Sequence, residues 1–217
     1  ELKKNKGSTS LEFRKKMSRL AFAETAYYDS VISNYLNFKS NTHFPEKRIV
    51  YGNLIEKLRY GENPHQDASF FVQKNIEEAC VANSKQLQGK ELSLNNIYDA
   101  DSCFETVKEF NETACVIVKH NNPCGAALHE NQLQAYIDAR DCDPVSAFGG
   151  IVAFNSKVLK DVAEEISKTF IEVLIAPDYD SEALEILSKK QNLRVLKSPE
   201  IIKPDESSTD IKKVVGG

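Results

Sequence analysis

Apolar and polar positions along the chain fall into blocks whose period changes from one block to the next. Phe13, Met17, Leu20, Tyr27, Val31 and Tyr35 recur at steps of three, four and seven through a stretch without Gly or Pro. That spacing lines one face of a helix. Thr9-Ser10-Leu11-Glu12 fits a capping box ahead of it, so a long amphipathic helix is predicted over residues 9–38, its aromatic stripe serving as core or partner-facing packing. Asn37 to Lys47 is polar, contains Pro45 and lacks periodicity. It reads as a linker with a boundary near residue 46, giving two parts, 1–46 and 47–217.

Beyond the linker, short apolar runs alternate with helical patterns. Strands are predicted at 68–72, 114–118, 150–154, 171–176 and 193–196, and helices at 100–110, 133–140, 158–168 and 181–190. Strands that are apolar almost throughout, alternating with helices, predict an α/β fold with a largely parallel sheet covered on both faces. Residues 203–210 form a polar loop pattern, and a new strand starts within 211–217. With no initiator Met at the other end, the chain is expected to be part of a longer protein.

Composition narrows the function classes. No apolar run approaches the roughly 20 residues a membrane span needs, and the opening Glu1-Leu2-Lys3-Lys4-Asn5-Lys6 lacks the apolar core of a signal peptide. A cytoplasmic protein is expected, with no membrane partner. The net charge of −4 offers no general attraction for nucleic acid. Five cysteines (Cys80, Cys103, Cys115, Cys124, Cys142) contain no C-x-x-C pair, against both a disulfide framework and a typical structural zinc site.

Four places carry candidate chemistry. The run Ala114-Cys115-Val116-Ile117-Val118 ends in Lys119-His120, followed by an Asn121-Asn122-Pro123 turn, Cys124 and Gly125. A buried strand thus delivers two titratable groups to a loop, and open α/β sheets bind ligands outside the carboxyl ends of their strands. In Leu58-Arg59-Tyr60-Gly61-Glu62-Asn63-Pro64-His65-Gln66, an Arg-Tyr pair enters an irregular loop. It is either a planar fork for phosphate with a hydroxyl beside it, or a turn with an exposed Arg. In Asp141 to Gly150, Phe148 could stack on a heterocycle while the Gly149 amide donates to it, or Phe148 could be core; Asp141 and Asp143 could suggest a metal or be solvated. Glu172 is the acid inside the apolar run 171–176, either on a solvated face or held for a ligand.

Taken together, the motifs at 58–66, 119–125 and 143–150 and the Ile175-Ala176-Pro177 triplet resemble the bifunctional AICAR transformylase/IMP cyclohydrolase family of purine biosynthesis, over almost the whole chain. The resemblance implies formyl transfer from the cosubstrate 10-formyltetrahydrofolate to the 5-amino group of AICAR (5-aminoimidazole-4-carboxamide ribonucleotide), without a metal. It implies that His120 is the proton acceptor and an AICAR contact, and that Lys119 is the neighbouring transition-state stabiliser. Arg59, Tyr60, Phe148, Gly149 and Glu172 are implied as AICAR-binding positions. It further implies cytidine-deaminase-like layered α/β subdomains, a helix from the end of the cyclohydrolase domain in residues 1–46, the first half of the transformylase domain in 47–217, and a homodimer with sites at the interface. The cyclohydrolase residues would precede Glu1 and most folate contacts would follow Gly217. The deaminase zinc pattern Pro-Cys-x-x-Cys is incomplete, since position 127 is Ala127.

Two other classes remain open at this level: a zinc-dependent nucleobase hydrolase using His120, Cys124 and Cys142, and a non-catalytic nucleotide-binding or dimerisation module.

Overall fold

The computed structural model describes residues 1–74, 76–201 and 211. The expected loop at 203–210 and strand start at 211–217 lie outside the described residues, Ile211 excepted.

The chain divides into two units between Asn53 and Leu54. In the first, helix α1 (Leu11–Lys39) starts at an N-cap supplied by Ser10, whose Oγ accepts the Phe13 N–H at 3.2 Å. The cap therefore sits one residue later than the predicted Thr9, and Phe13 rather than Glu12 occupies the third helical position. Ser30 is the buried residue of this helix, and Met17, Leu20, Val31 and Tyr35 of the predicted stripe are exposed. The stripe is thus not core here. Residues 49–53 return along the helix: Asn34 Nδ2 donates to the Ile49 carbonyl at 3.0 Å, and Tyr27 meets Tyr51 edge-on at 5.4 Å.

The second unit holds a two-stranded sheet of β1 (Asn53–Leu58, whose first residue belongs to the first unit) and β2 (Ala68–Val72). It also holds a six-stranded sheet in the order β3-β8-β7-β6-β4-β5. Those strands are β3 (Lys85–Gln88), β4 (Ala114–Lys119), β5 (Asn122–Leu128), β6 (Ile151–Phe154), β7 (Val173–Ala176) and β8 (Arg194–Lys197). Between them run α2 (Leu94–Lys108), α3 (Gln132–Cys142), the single turn α4 (Pro144–Ala147), α5 (Lys160–Ser167) and α6 (Ser181–Ser188).

The α/β class holds, and both faces of the sheet are covered. Along β4, Val116 and Val118 pack with Ile97, Ala100, Phe104 and Val107 of α2. The alternate residues Cys115 and Ile117 pack with Tyr136, Val162, Ile166 and Leu187 of the helices on the opposite face. Each fully buried Ile, Leu or Val side chain contributes about 2 kcal/mol. The expectation of a largely parallel sheet does not hold. Only β6-β7 and β7-β8 are parallel, whereas β3-β8, β4-β5 and β4-β6 are antiparallel. The cause is local: the Asn-Asn-Pro segment read as a loop forms part of a tight hairpin, so β4 turns straight back into β5. Pro123, which lacks an N–H, is tolerated because β5 is an edge strand.

Candidate functional site

Strand register decides where the candidate residues meet. Val118 pairs with Ile151, Ile151 with Val173, and Val173 with Arg194. Residues just outside that row flank one end of the sheet: Lys119 as the last residue of β4, Gly149 and Gly150 before β6, and Glu172 before β7. Because β4 runs against its neighbour, this end is the carboxyl end of β4 but the amino end of the parallel strands β6, β7 and β8. Lys119 and His120 therefore lie at the carboxyl end of β4, where the sequence reading put them, whereas Phe148, Gly149 and Glu172 stand at the amino ends of β6 and β7.

His120 and Asn121 form the turn between β4 and β5, with φ of 55° and 60°. Left-handed values at both central residues match the strand twist of a two-residue hairpin. His120 is exposed and Lys119 half-buried. The Lys119 ammonium donates to the Phe148 carbonyl at 2.7 Å, which ties the 119–125 motif to the 143–150 motif. Phe148 is 57% exposed and leans on Phe170, ring centroids 5.5 Å apart. Gly149 has φ 73°, a conformation that favours glycine. Its N–H donates to the Phe170 carbonyl at 2.8 Å, so the donation to a ligand suggested by the sequence is already taken up within the protein.

Arg59, Tyr60 and Glu172 line a cleft of about 570 Å³ together with Lys90, Asn96 and Arg194. Lys119, His120, Phe148 and Gly149 are not among the residues lining it. The Arg59 guanidinium rests over the Tyr60 ring, 4.9 Å from its centroid. The loop behind them is closed by Gly61 N–H to the Gln66 carbonyl at 2.7 Å and Asn63 N–H to Gln66 Oε1 at 2.9 Å. Glu172 precedes β7 instead of lying inside it, and its side chain is 42% exposed. Asn96 Nδ2 donates to Glu172 Oε2 at 2.7 Å, and Arg194 approaches the same oxygen at 4.0 Å. Glu172 is thus solvated on one side, and on the other it is held by the protein's own donors rather than by a ligand.

Sequence reasoning missed Asn96, Asp99 and Arg194. Asn96 closes a capping box with Ser93, accepting the Ser93 N–H through Oδ1 at 3.1 Å. That contact fixes which way the amide faces and aims Nδ2 at Glu172. A Ser-x-x-Asn signature before Ile97 could have revealed it. Asp99 bonds the His120 turn and left no local signal. Of the acids near α4, Asp143 caps that turn through the Ser146 N–H at 3.0 Å and Oγ at 2.6 Å. The Ser146 hydroxyl and amide together hold its carboxyl below the usual range. Asp141 pairs with Arg140 at 3.0 Å.

Among the described residues, no three His, Cys, Asp or Glu side chains gather as a group able to hold a metal ion. His120, Cys124 and Cys142 therefore do not form the zinc set considered from the sequence. The Cys124 thiol faces the Ile117 carbonyl at 3.5 Å and the Cys142 thiol the Asp138 carbonyl at 3.3 Å. No helix among the described residues is long and apolar enough to cross a membrane.

Residues 1–217 match the family described as AICARFT/IMPCHase bienzyme. The chain belongs to that family. Its relatives in the bienzyme family include the bifunctional purine biosynthesis protein PurH of Caldicellulosiruptor saccharolyticus, 49% identical over 220 residues covering all of this chain. PurH of Magnetococcus marinus is 48% identical over 223 residues, again covering all of it, and PurH of Thermoanaerobacter sp. 49% identical over 215 residues, or 99% of it. The chain spans 42%, 42% and 41% of these relatives' lengths. Among solved structures, RibD of Acinetobacter baumannii overlaps 38% of this chain and 28% of its own, at 19% identity and a TM-score of 0.32, too little to carry an argument about the fold.

Proposed function

We propose that the protein containing this chain transfers the formyl group of 10-formyltetrahydrofolate to the 5-amino group of AICAR, and that this chain supplies the nucleotide-facing half of that site. The observation that carries the reading is the Lys119 Nζ to Phe148 carbonyl bond of 2.7 Å, which joins two family motifs at one end of the sheet, beside an exposed imidazole. The AICAR amine is conjugated into an electron-poor ring and is a weak nucleophile. It needs a base to take its proton as it attacks the formyl carbon, and His120 is suited to that role. Negative charge then grows on the former formyl oxygen, where the Lys119 ammonium stabilises it by leaving or sharing the Phe148 carbonyl. Arg59 and Tyr60, with Glu172 across the cleft, bind the nucleotide; Phe148 and Gly149 border the heterocycle.

The same reading assigns residues 1–46 to the end of a cyclohydrolase domain plus linker, and 47–217 to the first part of a transformylase domain with cytidine-deaminase-like subdomains. IMP cyclohydrolase chemistry and most folate contacts belong to other parts of the intact protein, which acts as a cytoplasmic homodimer with sites at its interface and requires no metal. The test is to mix the full-length protein with AICAR and 10-formyltetrahydrofolate. Equimolar formyl-AICAR and tetrahydrofolate are expected, and no product would refute the reading. Lys119→Ala should lower kcat with little change in the AICAR KM, because its interaction strengthens in the transition state; a change in KM alone would make Lys119 a binding residue.

A further inference from the structure

The backbone of His120 is held in place from outside its own hairpin. Both His120 and Asn121 occupy the left-handed region, which a histidine does not prefer. Asp99, half-buried in the second turn of α2, accepts both of their amides. Oδ1 takes the Asn121 N–H at 2.8 Å and Oδ2 the His120 N–H at 3.3 Å. One turn further along α2, Ser102 Oγ donates to the Asn121 carbonyl at 3.4 Å. Within the hairpin, Asn122 Nδ2 donates to the His120 carbonyl at 2.7 Å.

The contact is also mechanically well placed. α2 is packed into the core through Ala100, Cys103 and Phe104, all fully buried, so Asp99 is a fixed point. A carboxylate that receives two consecutive amides of a turn is a strong, directional restraint, because each bond is charge-assisted. β4 on its own fixes Lys119 by its ladder with β5, but the ladder stops before the turn.

We propose that Asp99 is a positioning residue for His120. By clamping the two amides it keeps the turn left-handed and so keeps the imidazole aimed at the reacting amine. This rests on the formyl-transfer reading, in which His120 is the base. Asp99 itself touches no substrate.

The test uses the full-length protein and the variants Asp99→Ala, Asp99→Ala with Asn121→Gly, and His120→Ala. Asp99→Ala is expected to lower kcat at least tenfold with the AICAR KM within threefold. It should also speed amide exchange at His120 and Asn121 at least tenfold. A glycine at 121 adopts left-handed φ without steric cost, so the double variant is expected to recover at least half of the lost rate on a logarithmic scale. A parent-like kcat in Asp99→Ala, or no recovery in the double variant, overturns the proposal, as does unchanged amide exchange. Parent-like turnover in His120→Ala would instead show that the reading of the base has failed. Amide exchange then still decides whether Asp99 clamps the turn.

Discussion

At the residue scale, the site is built from side chains whose partners are mostly backbone groups. The Lys119 ammonium meets a carbonyl, the Asp99 carboxylate meets two amides, and Asn96 is oriented by the Ser93 N–H before it reaches Glu172. Such arrangements explain which residues were legible. Lys119, His120, Arg59, Tyr60 and Glu172 stand out in sequence because a charge or aromatic ring interrupts an apolar run or opens an irregular loop. Asp99 lies 21 and 22 positions from the amides it bonds, on a helix with ordinary polar residues around it, and nothing local marks it. Arg59 carries the residue-scale prediction for binding. Its guanidinium lies over an aromatic ring and faces the cleft, a geometry suited to a phosphate. Hydrogen bonds to charged groups contribute about 1.5–3 kcal/mol, so Arg59→Ala in the full-length enzyme should raise the AICAR KM by roughly 10- to 100-fold while kcat stays within a few-fold. An unchanged KM would remove Arg59 from the nucleotide site.

At the element scale, the hairpin of β4 and β5 does most to shape the site, and it was the least legible element. Its turn residues read as an irregular loop because Asn-Asn-Pro favours turns, and Pro123 disguised an edge strand. Register shifts between Ile117 and Val118, so Cys124 stands as an extra residue between Pro123 and Gly125 on β5. Immediately beyond that irregularity α3 presses its backbone onto the strand. A Cβ on Gly125 would sit 1.8 Å from the Ala139 carbonyl oxygen, and neither backbone can give way without moving a core element. Gly125→Ala should therefore cost about 3 kcal/mol, seen as a clear drop in the urea midpoint with an unchanged slope. Stability within 0.5 kcal/mol, the usual range for surface substitutions, would mean that α3 does not pack this closely on β5. The polar strand β3 was also invisible to periodicity. Gln88 there ties the end of α6 to the start of β8, its Nε2 donating to the Leu187 and Leu193 carbonyls at 3.0 and 3.2 Å.

At the scale of the whole molecule, the buried titratable groups share one direction. Burial pushes the Cys103 and Cys115 thiols well above the ordinary value of 9.0, and burial likewise raises Tyr179, whose hydroxyl donates to the Leu174 and Leu196 carbonyls. For Lys108, burial lowers the pKa but hydrogen bonds to Glu105 and Glu78 outweigh it, and the net shift is upward. A group whose folded pKa is raised keeps its proton in the folded state while the unfolded chain gives it up. Stability from the two thiols is thus intact below their ordinary value of 9.0 and falls as pH rises beyond it, while that from Tyr179 and Lys108 falls only beyond their ordinary values of 10.0 and 10.5. The urea midpoint of the full-length protein should decline steadily from pH 8.5 to 10.5, and less so with Cys103→Ala and Cys115→Ala together. A flat profile across that range would contradict this burial.

The whole-molecule reading joins a sheet end, a clamped hairpin and a family match covering residues 1–217 into one claim: His120 is the base of a formyl transfer. The most direct test is the steady-state rate of formyl-AICAR formation by full-length His120→Ala beside the parent, with both melting curves recorded. General base catalysis contributes about 10²- to 10⁴-fold. The account predicts a rate at least 100-fold lower at an unchanged melting temperature. A rate within threefold of the parent would contradict it.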